Sequence, residues 1–150
     1  DIARGTDSGL IDWNGTSIGS LICFASIYES ETLESVRDGA ELLILCTNDS
    51  WFDGTAAMNM HLAQAKMRAV ESGRYVVRAA NTGISAIIDG QGRTVDELDP
   101  MMRDIMVCRV GTTSRMTLYG YVGNMWVYLA MLFVFFMGIG ACCKKSQKND

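Results

Sequence analysis

What this sequence has little of narrows its chemistry first. One histidine, His61, and five cysteines, Cys23, Cys46, Cys108, Cys142 and Cys143, form no ligand spacing of a zinc site, so metal binding has no support in the pattern. Basic residues are scarce up to Arg115, ten against sixteen acidic ones, a net charge of −6. That balance argues against a nucleic-acid partner, because phosphate binding relies on concentrated positive charge. The opening DIARGTDSGLIDWNGTSIG has no initiating Met and no basic stretch followed by an apolar one, so it is neither a signal peptide nor a clear natural start, and the chain reads as a fragment. Internal repeats, low-complexity blocks and a second soluble domain are all missing. Charge is absent altogether between Arg115 and Lys144.

That charge-free run, MTLYGYVGNMWVYLAMLFVFFMGIGACC, supplies the roughly 20 apolar residues one helical membrane crossing requires. Tyr119, Tyr121, Trp126 and Tyr128 are placed for the first interface, and the tail KKSQKND puts three lysines just past the span. Lysine and arginine favour the cytoplasmic side, so a cytoplasmic tail and an extracytoplasmic domain are expected. The division follows: a mixed α/β domain over 1–117, a linker and transmembrane helix over 118–143 with its span at about 122–142, and a basic tail over 144–150. Cys142 and Cys143 are expected at the cytoplasmic membrane edge, where a bland interfacial role is preferred over acylation.

Within the domain, SGLIDWNGTSIGSLICF reads as two strands around a turn at Asn14-Gly15, since that dipeptide takes the left-handed angles of a tight hairpin, with the second strand ending at Cys23. SETLESVRDGA reads as a helix with Ser30 as N-cap and Gly39 near its exit. ELLILCTND reads as a nearly continuous apolar strand of the kind that lies under covering helices, and strand, helix, strand implies a crossover unit. A second helix follows the loop at Asp53-Gly54, with Met60, Ala63, Met67 and Val70 as its packing stripe. YVVRAAN and GISAIIDG read as a hairpin-like strand pair closed by the compact turn DGQG, and IMVCRV, after the only proline, as a final strand. Cys46 and Cys108, inside apolar runs, are expected to be buried small side chains rather than disulfide partners.

Three places carry candidate chemistry. Cys23 stands where SIGSLIC gives way to FASIYES, a strand-to-helix junction at which a thiol can be exposed and a helix N-terminus favours its thiolate. No base lies at a fixed close spacing, although Glu29 and Glu31 are nearby. TNDSWF sets Asn48 and Asp49 after a buried-looking strand and before Trp51 and Phe52, a loop that either walls a pocket or caps a helix with its aromatics in the core. RAANTGIS puts Asn81 and Gly83 at a strand junction, as a turn or as a site.

Taken in order, GSLICFASIY, LLILCTNDSWFDG, HLAQAKMRAVESGRYVVRAANTGISAIIDGQG and TLYGY resemble the C-terminal half of the nitrilase-like domain of the bacterial apolipoprotein N-acyltransferases, over nearly all of residues 5–121 and into the membrane helix that follows. The resemblance implies part of a nitrilase-like α-β-β-α sandwich in an enzyme of the bacterial cytoplasmic (inner) membrane, multi-pass in its full length, with the domain facing the periplasm or exterior. It implies transfer of a fatty acyl chain from a phospholipid donor to the N-terminal S-diacylglyceryl-cysteine of an apolipoprotein acceptor through a cysteine thioester, with no cofactor. Cys23 matches the nucleophile. Phe24, Ala25, Asn48, Asp49, Trp51, Phe52 and Asn81 match the wall or support of the active site, and His61 and Arg78 match a helix anchor and a structural ion-pair arginine.

The glutamate base and oxyanion-stabilising lysine of the family belong to the first half of the domain, and neither Glu29 nor Lys66 matches them. That first half and the N-terminal membrane helices are partners this chain would need, and alone it is expected to be inactive. Two departures stand out. The family reads Cys-Tyr-Glu or Cys-Phe-Glu where this chain has Cys23-Phe24-Ala25, which removes a carboxylate beside the nucleophile, and Asp53 intrudes before Gly54 in WFDG. The rival readings are another membrane-tethered carbon-nitrogen hydrolase, with water as acceptor, and a degenerate non-catalytic domain.

Overall fold

The computed structural model describes the backbone of residues 9–146 and the side chains of residues 9–138. Strands β1 (Ile11–Trp13) and β2 (Thr16–Ile22) form the expected antiparallel hairpin, with Asn14 at φ 52° and Gly15 at φ 80° in the left-handed region its two-residue turn demands. Helix α1 (Glu29–Arg37) returns the chain to β3 (Leu42–Asn48), parallel to β2, and α2 (Ala57–Ser72) returns it to β4 (Val76–Asn81), parallel to β3. β5 (Ser85–Ile88) and β6 (Thr94–Leu98) add antiparallel strands, so the six-stranded sheet keeps chain order, β1-β2-β3-β4-β5-β6.

Right-handed crossovers between sequential parallel strands put both helices on one face, and they pack there around a single core. Leu21 from β2, Leu43 and Leu45 from β3, Val76 from β4 and Ile88 from β5 meet Val36 of α1 and Leu62, Ala65 and Ala69 of α2. Fully burying a leucine or valine stabilises the fold by about 1.5–3 kcal/mol, so this cluster supplies most of the domain's cohesion. Gly19 is required where α1 crosses β2, because an added Cβ would lie 2.9 Å from Leu43 Cδ2 and 3.1 Å from the Cβ atoms of Ala40 and Ser35. The opposite face carries Ile22 and Cys46 side by side in register, both exposed. The described residues thus supply one sheet and one helical layer of the expected sandwich.

Several expectations are corrected. β2 ends at Ile22, and Cys23 opens a 3-10 turn, Cys23–Ile27, that runs straight into α1. This shifts the cap: Tyr28, not Ser30, is the N-cap residue, with its N–H bonded to the Ala25 carbonyl at 3.2 Å. The final strand is Thr94–Leu98 rather than IMVCRV, because the residues leaving the Asp89–Gly92 turn reach the β5 edge first, and 105–110 form no strand, with Ile105 and Val107 exposed. Cys46 is exposed and Cys108 half-buried, since alternation along β3 sends Leu43 and Leu45 under the helices and Cys46 to the other face.

The packing stripe of α2 is also displaced. Met60, Met67 and Val70 are half or more exposed, while Met58, His61, Leu62, Ala65, Arg68, Ala69 and Ser72 form the buried face. Hydrophobicity alone picks the wrong side because the buried stripe includes three polar residues: His61 and Arg68 find partners in distant segments, and Ser72 bonds back to its own helix.

The chain divides into two compact units, Asp1–Gly120 and Tyr121–Asp150. A short helix α3 (Leu118–Val122) occupies the expected linker, and α4 (Met125–Ser146) begins three residues into the expected span, after Gly123 turns the chain at φ 51°. Among the described residues no helix is long and apolar enough to cross a membrane. The helix α4 is 22 residues long, about 33 Å at 1.5 Å per residue, with its side chains described over 125–138. The rest of the predicted span, the Cys142-Cys143 pair and the basic tail lie outside the residues whose side chains are described.

Candidate active site

Because β2, β3 and β4 run parallel, their carboxyl ends share one edge of the sheet, the edge where ligand sites of open α/β sheets form. Cys23 follows β2 there, Asp49 follows β3, and Asn81 closes β4 in register with Asn48. Cys23 has φ +50°, a left-handed conformation that a non-glycine residue adopts only when its surroundings hold it.

The holding groups lie directly beneath. The Ser26 hydroxyl, fully buried, donates to the Cys23 carbonyl at 2.9 Å. His61, on the buried face of α2, sets Nε2 3.1 Å from Ser26 Oγ and 3.3 Å from the same carbonyl. Its Nδ1 stands 2.9 Å from Asp49 Oδ1, which also accepts the Thr47 hydroxyl at 2.9 Å. The other carboxylate oxygen, Oδ2, accepts Arg78 Nη2–H in a fully buried ion pair. Arg78 Nε–H donates to the Ile84 carbonyl at 3.0 Å, and Nη1 has no hydrogen-bond partner among the described residues. Burial pushes the Arg78 pKa down from its ordinary value, while the charges of Asp49 and Cys23 act to hold its proton. Gly83 must be glycine for this cluster to close, since a Cβ there would run into the Asp49 side chain.

The sequence-predicted residues divide accordingly. Asp49 is fully buried and meets Thr47, His61 and Arg78. Asn48, exposed, accepts Ser50 N–H at 3.2 Å and fixes the turn. Asn81, also exposed, contributes its carbonyl to Asp49 N–H at 3.1 Å. Trp51 is 86 % exposed, against the reading that packs it into the core, whereas Phe52 is half-buried and meets the His61 ring edge-on at 5.9 Å between centroids. Phe24 stands half exposed and edge-on to Tyr28, and with Ile27, Phe52, Met60 and His61 it lines a mostly apolar cleft of about 240 Å³ beside the cysteine turn. Ala25, half-buried, brings no carboxylate to this end of the sheet.

His61 anchors its helix, and Arg78 makes an ion pair, as their positions in the sequence lead one to expect. Ser26 was not anticipated; a small hydroxyl three residues after the candidate cysteine is the signal that could have found it. Among the described residues no group of three or more His, Cys, Asp or Glu side chains is placed to hold a metal ion.

Residues 3–114 match the carbon-nitrogen hydrolase family. Among curated proteins the chain is similar to the apolipoprotein N-acyltransferase of Pasteurella multocida, at 32% identity over 129 residues, covering 85% of this chain and 25% of that protein. It is 37% identical over 111 residues to that of Thermotoga maritima, covering 74% of this chain and 22% of the relative. The chain therefore spans about a quarter of the length of the curated relatives it matches. Among solved structures it is similar to Nit3 of Saccharomyces cerevisiae, a nitrilase-superfamily member, with TM-score 0.56, 24% identity, and coverage of 66% of this chain and 39% of that one. An amidase mutant from Nesterenkonia, which shows Michael addition of acrylamide at its active site cysteine, aligns with TM-score 0.54 and 21% identity over 66% of this chain and 42% of its own. At these identities the two structures establish the fold.

Proposed function

Because the chain belongs to the carbon-nitrogen hydrolase family, we propose that it is the C-terminal part of an apolipoprotein N-acyltransferase in which Cys23 is the acyl-carrying nucleophile. The observation that carries the reading is the left-handed Cys23 at the carboxyl end of β2, braced from below by Ser26, His61, Asp49 and Arg78. The two curated relatives, both apolipoprotein N-acyltransferases, support the reaction, and the cysteine adduct of the Nesterenkonia amidase supports thiol chemistry in this fold.

In the proposed reaction the Cys23 thiolate attacks a phospholipid ester carbonyl. The sulfur–carbon bond forms, the ester carbon–oxygen bond breaks, and the leaving alkoxide takes a proton to depart as lysophospholipid. The α-amino group of a diacylated lipoprotein then attacks the thioester, the nitrogen–carbon bond replaces the sulfur–carbon bond, and the thiol is restored. A general base and an oxyanion-stabilising cation come, in this reading, from the earlier half of the domain. Phe24, Ala25, Asn48, Trp51, Phe52 and Asn81 shape the surroundings of the thiol, with Asp49 supporting it from beneath.

The same reading takes α4 as the core of a membrane crossing at 122–142 in the bacterial inner membrane, with the domain outside and the tail 144–150 inside. Its described stretch, 125–138, is uncharged, and Trp126, Phe133, Phe135 and Phe136 are exposed on it, as a lipid-facing helix requires. Protection of the domain from protease in sealed inside-out vesicles supports this orientation; its digestion there refutes it.

One observation favours a second reading. Ala25 brings no carboxylate two residues after Cys23, which suits a degenerate, non-catalytic domain. The full-length parent in membranes, given a labelled phospholipid and a diacylated lipopeptide, separates the two. An acyl adduct at Cys23 followed by an amide-linked acyl peptide is expected. Release of free fatty acid or ammonia instead indicates hydrolysis, and no adduct from folded protein indicates degeneracy.

A further inference from the structure

Helix α2 holds the Cys23–Ile27 turn at two points, and only the first of them belongs to the Asp49 cluster. At the entrance, the Cys23 carbonyl accepts the Ser26 hydroxyl at 2.9 Å and stands 3.3 Å from His61 Nε2. At the exit, Arg68 Nη1–H donates to the Ile27 carbonyl at 2.8 Å, across 41 residues of chain. His61 and Arg68 both lie on the buried face of α2, two helical turns apart, about 10 Å at 1.5 Å per residue. A 3-10 stretch rises about 2 Å per residue, so Cys23 and Ile27 stand about 8 Å apart along its axis, a length the two side chains bracket.

Arg68 is 5% exposed, and Glu71 fixes its guanidinium at two points: Nη2–H donates to Oε1 at 2.8 Å, while Nε stands 2.8 Å from Oε2. With two corners of the planar fork held, Nη1 is aimed out of the helix, at a carbonyl one residue before the N-cap Tyr28 and so outside the α1 ladder. Glu71 is held in turn, because its own carbonyl accepts the Thr117 hydroxyl. A pair three residues apart on an open helix face would tie α2 only to itself. This one is buried and gives a donor to another element. The need for a second hold lies in Cys23, whose φ of +50° persists only where the surroundings over-determine it. A hold at the entrance alone fixes one carbonyl and lets the rest of the turn pivot. A second at Ile27 also fixes the direction of the turn, and with it the Phe24 and Ile27 side chains that line the apolar cleft.

We propose that Arg68 is a positioning residue: oriented by Glu71, it clamps the exit of the Cys23 turn and so fixes the backbone that carries the nucleophile and the adjoining wall of the cleft. It acts through the Ile27 carbonyl rather than by contact with substrate. The role rests on Cys23 being the reactive thiol.

The full-length parent in detergent micelles carries the test. In Arg68→Met, hydrogen exchange at the Tyr28 amide, which bonds the Ala25 carbonyl at 3.2 Å, is expected to quicken about tenfold by peptide mass, in a time window that leaves the central strand β3 protected. Equal quickening of the turn and of β3 marks a general loss of stability and overturns the proposal, as does an unchanged turn. Transfer from a labelled phospholipid to a diacylated lipopeptide is expected to lose about tenfold in kcat with KM within about threefold, because the nucleophile loses its aim while the apolar wall keeps its side chains. A kcat equal to that of the parent also overturns it. If Arg68→Met does not fold, Glu71→Ala, which keeps the arginine and frees its fork, decides by the same exchange reading, with about threefold faster exchange of the turn expected and an unchanged turn overturning. A quickened turn in a parent that transfers no acyl group would sink the transferase reading alone; transfer by the parent with an unchanged turn in the folded variant would sink this one alone.

Discussion

Two arginines four residues apart are each about 1% exposed, yet they are buried for different ends. Arg74, entering β4, meets only carbonyls: Nε–H reaches Ala40 O at 2.7 Å and Nη1 reaches Arg115 O at 2.6 Å and Ser72 O at 3.4 Å. It ties the exit of α1, the exit of α2 and the segment after β6 together at the end of the sheet away from Cys23. Arg78 meets a carboxylate, leaves one N–H group without a partner among the described residues, and stands within electrostatic reach of a thiol. A guanidinium satisfied by neutral carbonyls is a staple. One that shares a buried carboxylate with a histidine, which in turn meets the Cys23 carbonyl, is tied to the cysteine turn.

The largest expected consequence of that difference is in stability. Asp49→Ala leaves Arg78 buried without its counter-ion and is expected to destabilise the domain by about 3–5 kcal/mol in urea unfolding. Arg74→Met removes no counter-charge and strands carbonyls only, so about 1–3 kcal/mol is expected. Equal losses in the two variants would erase the distinction.

Next in size is reactivity. Arg78→Lys is expected to slow Cys23 alkylation several-fold at neutral pH, because a single ammonium replaces the fork that holds Asp49 and Ile84 together. Arg74→Met should alkylate like the parent chain, and a slowed Arg74 variant would show that the two ends of the sheet are coupled.

Gly83→Ala pushes a methyl group into the Asp49 side chain and is expected to cost about 1–3 kcal/mol, as overpacking does, together with a loss of Cys23 reactivity. Gly19→Ala crowds Leu43, Ala40 and Ser35 beneath α1 instead, so it should destabilise without altering the thiol beyond that. Measuring melting and alkylation on both variants checks this pair.

The smallest effect concerns a surface-side ion pair. Burial acts to raise the Asp89 pKa, but hydrogen bonds from the Arg93 and Gln91 backbones and the Arg93 guanidinium outweigh it, so the carboxyl is held below its ordinary 3.8. A folded value below the unfolded one means that stability is present above the ordinary carboxylate range and fades as pH falls through it. Asp89→Asn should remove that acid-side slope while leaving Cys23 chemistry untouched, and urea midpoints between about pH 3 and pH 6 would reveal it.

Legibility in the sequence follows how local each signal is. The Asn14-Gly15 hairpin, the β2-α1-β3 crossover and the β4–β5 pair are local patterns, and each forms as read. The strand at Thr94–Leu98 was overlooked because its apolar content is weaker than that of IMVCRV, while the sheet rewards the segment that first reaches an open edge. The α2 stripe misleads for a related reason. Burying His61, Arg68 and Ser72 is affordable only because Asp49, the Ile27 carbonyl and the Arg68 carbonyl wait for them, and periodicity carries no record of partners. Cys23 was legible as a candidate from its junction and its resemblance to a family nucleophile; its left-handed backbone was not.

By itself the sequence determined the mixed α/β class, the order of the crossover elements and the charge-free C-terminal run, because these rest on turn chemistry, periodicity and composition, while the family came from the resemblance of its motifs taken in order. Tertiary structure alone decided that Asp49, His61 and Arg78, 12, 17 and 29 residues apart in pairs, share one buried cluster, and that this cluster reaches Cys23 through a carbonyl 38 residues from His61. Parallel strands bring their carboxyl ends to a common edge whatever the sequence distance between them, and burial there makes each proton and each charge answer to its neighbours.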